Sequence, residues 1–307
     1  GRTLQGRTLQ GRTLQGRTLQ GTSLAGVTIQ GAAVADLALE GTTFVGTIDG
    51  QPRRGVDFVG AVFQEVTESG TTTDLVVSDI TADPSDPSGE VLLYSLSVRD
   101  PVTGSESAAC GPDPYGDLRA LPLSGTWDES GVFHDTPSTF SIACLSGVLA
   151  KCTRWGYKPW ATKAGRPLRD YHQACTRMAR ADYCGDGTAW TVPGTPIDIY
   201  DDLGLQSKTL DSGMPFEATW TPSGAYCIAR SRWFGPSPIN PSVTMLSLLV
   251  SDCASRGVHL TYDDFGGGDV CFIARNDLRK TDVLLRNHSN VNSGFSSTST
   301  SSTFRLP

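Results

Sequence analysis

The stretch PLRDYHQACTRMARADYCGDG, residues 167–187, decides the predicted fold of the central part of the chain. Pro167 suits the first position of a helix, because an N–H is not needed there. The residues that recur at helical spacing and predict its buried face are Leu168, Tyr171, His172, Cys175, Met178 and Ala179. Those expected on the outer face are Arg169, Gln173, Arg177 and Arg180. The stretch therefore predicts an amphipathic helix whose buried face carries a cysteine.

Cysteines elsewhere in the chain extend this prediction. The eight are Cys110, Cys144, Cys152, Cys175, Cys184, Cys227, Cys253 and Cys271. No two of them form a C-x-x-C pair, which argues against a redox motif and a zinc ribbon. An even number without metal-binding spacing predicts structural disulfides in an oxidising compartment, each stabilising by about 2–4 kcal/mol. The sequence does not choose the pairing, and eight reduced, buried cysteines in a cytosolic protein are the alternative.

Apolar and β-branched runs on both sides of the helix predict strands. Leu75–Ile80 and Val91–Val98 are separated by the turn at Asp83–Gly89 and predict a hairpin. Further strands are expected at Thr139–Cys144, Gly147–Trp155, Pro196–Tyr200, Phe216–Thr219, Ala225–Arg230 and Val270–Ala274. A second helix is expected from about Pro241 to Ser255. These elements predict a disulfide-stapled globular domain of the α+β class over residues 75–288.

The N-terminal part of the chain is built from pentads. GRTLQ occurs four times and is followed by GTSLA, GVTIQ, GAAVA, DLALE, GTTFV and GTIDG. The fourth positions hold Leu4, Leu9, Leu14, Leu19, Leu24, Ile29, Val34, Leu39 and Phe44. A period of five puts such residues on alternating faces of a strand and around all sides of a helix. A coil that turns a corner every five residues would keep them all inside.

Residues 21–48 resemble the pentapeptide-repeat family, whose members form such a coil as a square β-solenoid. The second inward position of these pentads holds Thr22, Val27, Ala32, Leu37 and Thr42, which fits the pattern. In the first four pentads it holds Arg2, Arg7, Arg12 and Arg17. Burying unpaired guanidinium groups costs several kcal/mol each, so these pentads turn the arginines outward or stay loose until something caps them. The resemblance implies a short β-solenoid arm over residues 1–66, followed by a linker at 67–74.

The tetrapeptide Ala181-Asp182-Tyr183-Cys184 carries a second resemblance together with the segments around it. The supporting segments are KCTRWGYKPW at 151–160, YHQACTRMARADYCGDG at 171–187, GTPID at 194–198 and FEATWTP at 216–222. Together they resemble the ADYC-domain family of bacterial proteins, over residues 75–288. That resemblance implies an exported or envelope protein of unassigned biochemical function, and it implies no catalytic residues.

His172 and Cys175 are the first candidates for chemistry. They lie three residues apart on one predicted helix face, close enough to share a metal ion or to form a nucleophile–base pair. A packed histidine beside a disulfide cysteine is the simpler interpretation. The serine-hydrolase signature G-x-S-x-G does not occur. We therefore assign no catalytic residue, cofactor or metal, and keep a secreted hydrolase with a site near His172 and the Asp182–Asp186 loop as an alternative.

Two further groups of residues are candidates for binding. The acidic, glycine-containing stretches suited to Ca²⁺ are Asp182–Asp186, Asp198–Asp202 and Asp263–Asp269, although ordinary turns have the same composition. The aromatic residues that could form a carbohydrate-binding or protein-binding platform are Trp155, Tyr157, Trp160, Trp190, Trp220 and Trp233. Core packing is the simpler interpretation of these aromatic residues.

Composition limits the classes of function. The chain has 307 residues and a net charge of −7, which argues against a nucleic-acid binder. Its apolar runs are too short for a membrane-spanning helix. It begins at Gly1 rather than Met, as expected if an export signal or another upstream segment is missing, and ends in a Ser/Thr-rich tail at 289–307.

We therefore expect an exported structural or interaction protein of the bacterial cell surface. It would bind a protein partner or self-associate through the repeat arm, with filaments as one form of assembly. A glycan-binding module is a further alternative.

Overall fold

Antiparallel strands dominate the computed structural model of the chain. The structure describes residues 8–9, 16–18, 22–67, 72–136, 138–191, 195–209, 213–230, 232, 262–265, 269–273 and 277–290. The helix predicted at Pro241–Ser255 lies outside the described residues, as do Trp233, Cys253 and most of the tail.

The helices and strands lie in the following order. The first strands are β1 (Thr8–Leu9), β2 (Gly16–Thr18), β3 (Thr22–Ile29), β4 (Ala32–Ala33), β5 (Ala35–Glu40), β6 (Thr43–Ile48), β7 (Gln51–Arg54), β8 (Ala61–Thr67), β9 (Thr72–Ala82), β10 (Leu92–Arg99), β11 (Glu106–Ala108), β12 (Ala120–Ser124), β13 (Thr126–Trp127), β14 (Phe133–His134) and β15 (Phe140–Cys144). They are followed by α1 (Val148–Arg154), β16 (Thr162–Lys163), β17 (Arg166–Pro167), α2 (Leu168–Arg180), β18 (Thr195–Asp201), β19 (Phe216–Thr221), β20 (Gly224–Ile228), β21 (Tyr262–Asp264), β22 (Val270–Ile273) and β23 (Leu285–Ser289). Short 3-10 helices occur at Gly55–Phe58 and Lys280–Asp282.

Two large antiparallel sheets organise the fold. The first has nine strands, in the order β2-β15-β12-β10-β9-β8-β3-β4 with β11 attached to β10. The second has seven strands, in the order β1-β18-β23-β19-β20-β22-β21. Strands β5, β6 and β7 form a separate three-stranded meander, and β13–β14 and β16–β17 are isolated hairpins. The repeat-bearing strand β3 is therefore part of the same sheet as the predicted and confirmed hairpin β9–β10.

The predicted β-solenoid is wrong, because the pentads of residues 22–50 form antiparallel hairpins. The chain reverses at Gln30-Gly31, with φ of 51° and 84°, and at Asp49-Gly50, with φ of 49° and 74°. Positive φ at both central residues is the conformation that two-residue hairpin turns favour. These glycines thus serve turns between paired strands rather than the corners of a coil.

Register shifts explain how a period of five fits a sheet. The pairing of β3 with β8 shifts between Leu24 and Gly26, and that of β5 with β6 shifts between Ala35 and Ala38. Side chains alternate between the two faces of a sheet, and an extra residue in one strand shifts this alternation by one position. Two apolar residues that are five positions apart can then point to the same face. The apolar residues buried in this region include Val27, Ile29, Phe44 and Ile48.

The α+β prediction is also wrong, because strands make up a far larger part of the described structure than helices do. The run Gly147–Trp155, predicted as a strand, is helix α1. Nearly all of its side chains are buried, so the apolar run carries no periodicity that would distinguish a helix from a strand. The central helix α2 is confirmed, with Pro167 immediately before it.

Helix α2 packs on one face of the seven-stranded sheet. Its residues Tyr171, Cys175 and Met178 share a core with Ile197 of β18 and Trp220 of β19. The nine-stranded sheet has its own aromatic core, made of Phe44, Phe58, Phe63, Tyr94 and Phe140. Helix α1 contributes to two cores: Val148 and Cys152 pack in the core of α2, and Leu149 and Ala150 pack with Leu121 and Leu123 of β12.

Disulfide bonds are present, as predicted. Among the described residues they join Cys110 to Cys144, Cys152 to Cys175 and Cys227 to Cys271, with Cα–Cα distances of 5.6, 5.8 and 5.6 Å. The second bond links α1 to α2, and the third links β20 to β22. Cys184 is also disulfide-bonded.

Candidate functional site

The Ala-Asp-Tyr-Cys tetrapeptide begins where α2 ends. Ala181 has a left-handed backbone, with φ of 54°, and its N–H donates to the carbonyl of Met178 at 3.0 Å. This conformation ends a helix by satisfying its last carbonyl groups. Ala181 is fully buried, so a small side chain is needed at this turn.

Asp182 accepts hydrogen bonds from one side chain and two backbone groups. The Nη1 of Arg177 lies 2.5 Å from its Oδ2, and the N–H groups of Asp186 and Gly187 each donate at 3.1 Å. Both charged side chains are almost completely excluded from solvent. Burying such an ion pair costs desolvation free energy, which is offset only when the remaining N–H donors also have hydrogen-bond acceptors. Arg177 meets that condition, because it also donates to the carbonyls of Ser130 and Pro222.

Tyr183 connects the tetrapeptide to the seven-stranded sheet. Its hydroxyl donates to Oε1 of Glu217 at 3.0 Å and accepts the N–H of Arg232 at 2.9 Å. Its ring stacks on Trp220, with centroids 5.2 Å apart. Burial raises the pKa of Tyr183 well above its usual value, so the phenol stays protonated as a hydrogen-bond donor.

Glu217 and Arg232 form a second buried ion pair behind the tyrosine. The Nε of Arg232 lies 2.8 Å from Oε2 of Glu217, and Asn287 donates to the same oxygen at 2.7 Å. Arg232 also donates to the carbonyls of Met178 and Ala179 at 2.6 and 3.2 Å. It therefore caps the C-terminal end of α2, where a positive charge is favourable.

The hairpin turn between β19 and β20 closes this cluster from outside. Gly224 has a φ of 125°, and a Cβ atom there would lie 2.9 Å from the carbonyl oxygen of Tyr183 and from the N atom of Gly185. The N–H of Ala225 donates to the same tyrosine carbonyl at 2.9 Å. Only glycine allows this approach of two backbones.

Through these contacts, five buried residues hold the end of α2 against the seven-stranded sheet. We call them the structural lock: Arg177, Asp182, Tyr183, Glu217 and Arg232. Each member is buried and makes hydrogen bonds within the protein. Arg177 was predicted on the outer face of α2, and neither Glu217 nor Arg232 was predicted as a functional residue. An arginine on the polar side of an amphipathic helix is usually exposed, and the sequence does not show that the chain turns back after α2 and brings Asp182 against Arg177. Glu217 and Arg232 lie 15 residues apart, so no local pattern indicates that they pair.

His172 lies inside the core rather than in a site open to solvent. Its Nε2 is 3.0 Å from the carbonyl oxygen of Leu149 and 3.2 Å from Oγ1 of Thr153, and its ring packs against Trp127. Because a carbonyl only accepts, Nε2 carries the proton. The neighbouring Cys175 is bonded to Cys152. The pair is thus arranged as a packed histidine beside a disulfide.

The pH dependence of stability gives a test of this placement. Burial lowers the pKa of His172 from 6.5 to about 4, so the unfolded chain binds a proton that the folded chain does not between these values. Stability should therefore fall as pH decreases from 6.5 to 4, by up to about 3 kcal/mol. Urea unfolding at pH 7 and pH 4.5 would measure this loss.

The matched controls are His172→Gln, whose side chain does not titrate, and His134→Gln at the exposed His134, which lies beside Asp128 at the surface. We expect His172→Gln to reduce the acid-induced loss and His134→Gln to leave most of it. An equal loss in wild type and His172→Gln would contradict the buried, neutral state of His172.

The acidic stretches proposed for Ca²⁺ already have protein partners. Asp198 accepts the N–H and hydroxyl of Thr209 at 2.9 and 2.8 Å. Asp263 lies 2.6 Å from Nζ of Lys280, and Tyr200 donates to Asp269 at 2.5 Å. In the part of the chain that the structure describes, no three or more His, Cys, Asp or Glu side chains are arranged to hold a metal ion.

Two of the candidate aromatic residues are buried, and Trp155, Trp160 and Trp190 are partly buried against the cores. Trp220 is buried, and Tyr157 stacks on Tyr171 with centroids 6.3 Å apart. Trp160 lies against the turn at Gly41. Trp155 differs, because it lines a cleft.

This cleft has a volume of about 600 Å³ and lies beside α1. Lys151, Arg154 and Trp155 line one side, at spacings that put them on neighbouring positions of the helix surface. The other residues that line it are Pro84, Ser85, Asp113, Pro114, Tyr115, Asp117, Arg119 and Leu145. Tyr115 is 72% exposed and so offers an accessible aromatic ring at the cleft.

Charged side chains in the cleft are mostly held in ion pairs. Arg154 lies 2.6 Å from Asp83, and Arg119 lies 2.6 Å from Asp117. Lys151 is only 9% exposed, and burial lowers its pKa from 10.5 to about 8, although Asp113 acts in the opposite direction. A buried lysine with this pKa holds a substantial neutral fraction near physiological pH.

Disulfides hold both sides of the cleft. Cys152, in α1 next to Lys151, is bonded to Cys175 of α2. Cys110, three residues before Asp113, is bonded to Cys144 at the end of β15. The cleft is therefore formed by segments that disulfides anchor. This anchoring reduces the conformational entropy that the segments would lose when a ligand binds.

Comparison with known proteins identifies one family. The model of the ADYC domain matches residues 55–234, more than half of the chain. No curated protein and no solved structure matches. Within the described parts of the chain, no helix is long and apolar enough to cross a lipid bilayer. The match includes the lock and the cleft, and the chain belongs to the ADYC-domain family.

Proposed function

We propose that this protein is an exported, non-catalytic interaction protein of the bacterial cell surface. The observation that carries the proposal is the set of disulfides that anchors the core and the walls of the cleft. Such bonds form and persist in oxidising compartments. The Asp and Tyr of the family signature bond to buried residues of the lock, which gives the signature a structural role and leaves recognition to other surfaces.

Self-association or a protein partner has support at the meander. Strand β7 lies at the edge of its three-stranded sheet, and all of its residues are exposed. Val56 and Val59, which follow it, are 63% and 42% exposed. An exposed edge with nearby apolar side chains favours pairing with another chain.

Glycan binding is the second candidate, and the cleft favours it. The cleft combines Tyr115 and Trp155 with hydrogen-bonding side chains, as sugar-binding sites do. Its volume suits a small saccharide.

Cell fractionation of the producing bacterium tests the proposed location. We expect the protein in the envelope or medium, with its cysteines linked when the sample is alkylated before any reductant is added. A cytoplasmic protein whose cysteines are alkylated as free thiols would contradict the proposal.

A further inference from the structure

Two short strands from the N-terminal pentads lie at the edges of the two large sheets. Strand β1 pairs with β18 at the edge of the seven-stranded sheet, and β2 pairs with β15 at the edge of the nine-stranded sheet. The pentads that contain these strands, residues 6–10 and 16–20, have the identical sequence GRTLQ. One five-residue sequence therefore pairs with two different sheets.

The two edges pair with different parts of the same pentad. Strand β1 pairs through the third and fourth residues, Thr8 and Leu9, whereas β2 pairs through the first three, Gly16, Arg17 and Thr18. Strand pairing uses backbone N–H and C=O groups, which every pentad carries. Glycine-containing strands with mostly polar side chains specify their register weakly and are prone to alternate pairing and domain swapping. The pairing therefore does not depend on one fixed set of pentad side chains.

The edge at β15 needs an occupant. All residues of β15 are buried, and Ser141–Ala143 pair with β12 on one side and with β2 on the other. Without β2, the N–H and C=O groups on that side of a buried strand would lack partners, which costs free energy. The sequence GRTLQ also occupies residues 1–5 and 11–15. The chain therefore carries four copies of a pentad that the described strands β1 and β2 use twice.

We infer that GRTLQ pentads of one copy of this chain pair with β15 and β18 of a second copy, so that the protein self-associates by strand exchange. The inference rests on the proposed self-association and deepens it by naming the surface and the partner. An exchanged strand has the sequence of the strand that it replaces, so it makes the same backbone hydrogen bonds. Mutual exchange gives a closed dimer, and one-way exchange gives a chain of copies.

Protein concentration decides between pairing within one copy and pairing between copies, because the hydrogen bonds are the same in both. A pentad of the same chain competes at an effective concentration on the order of 1 mM when the connection is short. Exchange should therefore be rare in dilute solution and common where copies are crowded, as at the proposed cell-surface location. The pentads lie outside residues 55–234, so the family match does not account for them.

The experiment is photo-cross-linking in an equal mixture of light and heavy full-length chains with intact disulfides. The light chain carries benzoylphenylalanine in place of Arg17, which pairs with Ile142, and the heavy chain is isotope-labelled and has no probe. Mass spectrometry identifies the peptides that become joined to residue 17. We expect less than about 1% of the cross-links to β15 to join a light to a heavy chain at about 10 µM protein. At about 1 mM this share should reach about a quarter.

Two peptides provide a matched control for strand pairing. An excess of the synthetic peptide GRTLQGRTLQ should occupy the sheet edges and reduce the light–heavy cross-links. The peptide GRPPQGRPPQ has the same charge, but its prolines lack N–H groups that a paired strand donates. It should leave the light–heavy cross-links unchanged, and equal inhibition by both peptides would overturn the inference.

The position of the cross-links separates this inference from the proposed function. Cross-links from residue 17 that reach β15 only within light chains at about 1 mM would overturn strand exchange. Light–heavy cross-links to β7 instead of β15 would also overturn it, but they would leave self-association in place. The absence of every cross-link to β15 would show that β2 does not occupy that edge, which removes the basis of the inference. Failure of the proposed function itself would appear in the fractionation test, as a cytoplasmic protein with free thiols.

Discussion

Replacement of Arg232 by Met should lower the free energy of unfolding by about 3–5 kcal/mol. The side chains of Arg232 and Glu217 are both completely buried, so the substitution leaves a carboxylate without its counter-ion in the core. It also removes the donors to the carbonyls of Met178 and Ala179 at the end of α2. Urea unfolding followed by intrinsic fluorescence would measure the loss.

Arg54→Met is the matched control for this prediction. Arg54 pairs with Glu40 at the surface, where the two side chains are 60% and 59% exposed. An exposed ion pair contributes less than about 1 kcal/mol, so this variant should unfold almost like wild type. Adding Glu217→Gln to Arg232→Met should recover part of the loss, because it removes the unpaired charge. Equal effects of Arg54→Met and Arg232→Met would contradict the lock.

Asp182→Asn should lower the free energy of unfolding by about 3 kcal/mol. The substitution keeps the size of the side chain but leaves the buried guanidinium of Arg177 without a carboxylate. The amide also offers donors where Asp186 and Gly187 already donate N–H groups. Thermal or urea unfolding would show the loss.

Asp186→Asn is the control for the same substitution in the same loop. Asp186 is exposed, and its carboxylate accepts the N–H of Thr188. We expect it to change stability by less than about 1 kcal/mol. If both variants are equally stable, Asp182 has no structural role that Asp186 lacks.

The structure gives each of the four residues of the family signature a structural role. Ala181 takes the left-handed backbone that ends α2, and Asp182 holds Arg177. Tyr183 bonds to Glu217 on β19, and Cys184 is disulfide-bonded. A family can therefore keep these four residues for its fold, which leaves the proposed binding role to other surfaces such as the cleft beside α1.

The sequence was sufficient for elements that have a strong local signal. Helix α2 has a helical period and a proline at its start, and the β9–β10 hairpin has two apolar runs around a Pro/Asp/Ser turn. Disulfide bonding followed from the number and spacing of the cysteines. The helix and the hairpin depend on residues that are close in sequence, and disulfide bonding was predicted from the number of cysteines.

The sequence was insufficient wherever tertiary contacts decide the outcome. A period of five is compatible with a coil, but bulges near Gly26 and Ala38 let the same residues form paired antiparallel strands. Helix α1 has no period because nearly all of it is buried. The lock joins residues from 177 to 232, and the cleft joins α1 to the loop at 113–119, so neither has a local signature.

The coupling free energy between Asp182 and Arg177 tests the structural role of the signature most directly. It is obtained by unfolding wild type, Asp182→Asn, Arg177→Met and the double variant under one set of conditions. The lock predicts a double variant more stable than the sum of the single losses implies, with a coupling of about 2 kcal/mol. Losses that add within about 0.5 kcal/mol would show that the two side chains act independently, and the signature would then need another explanation.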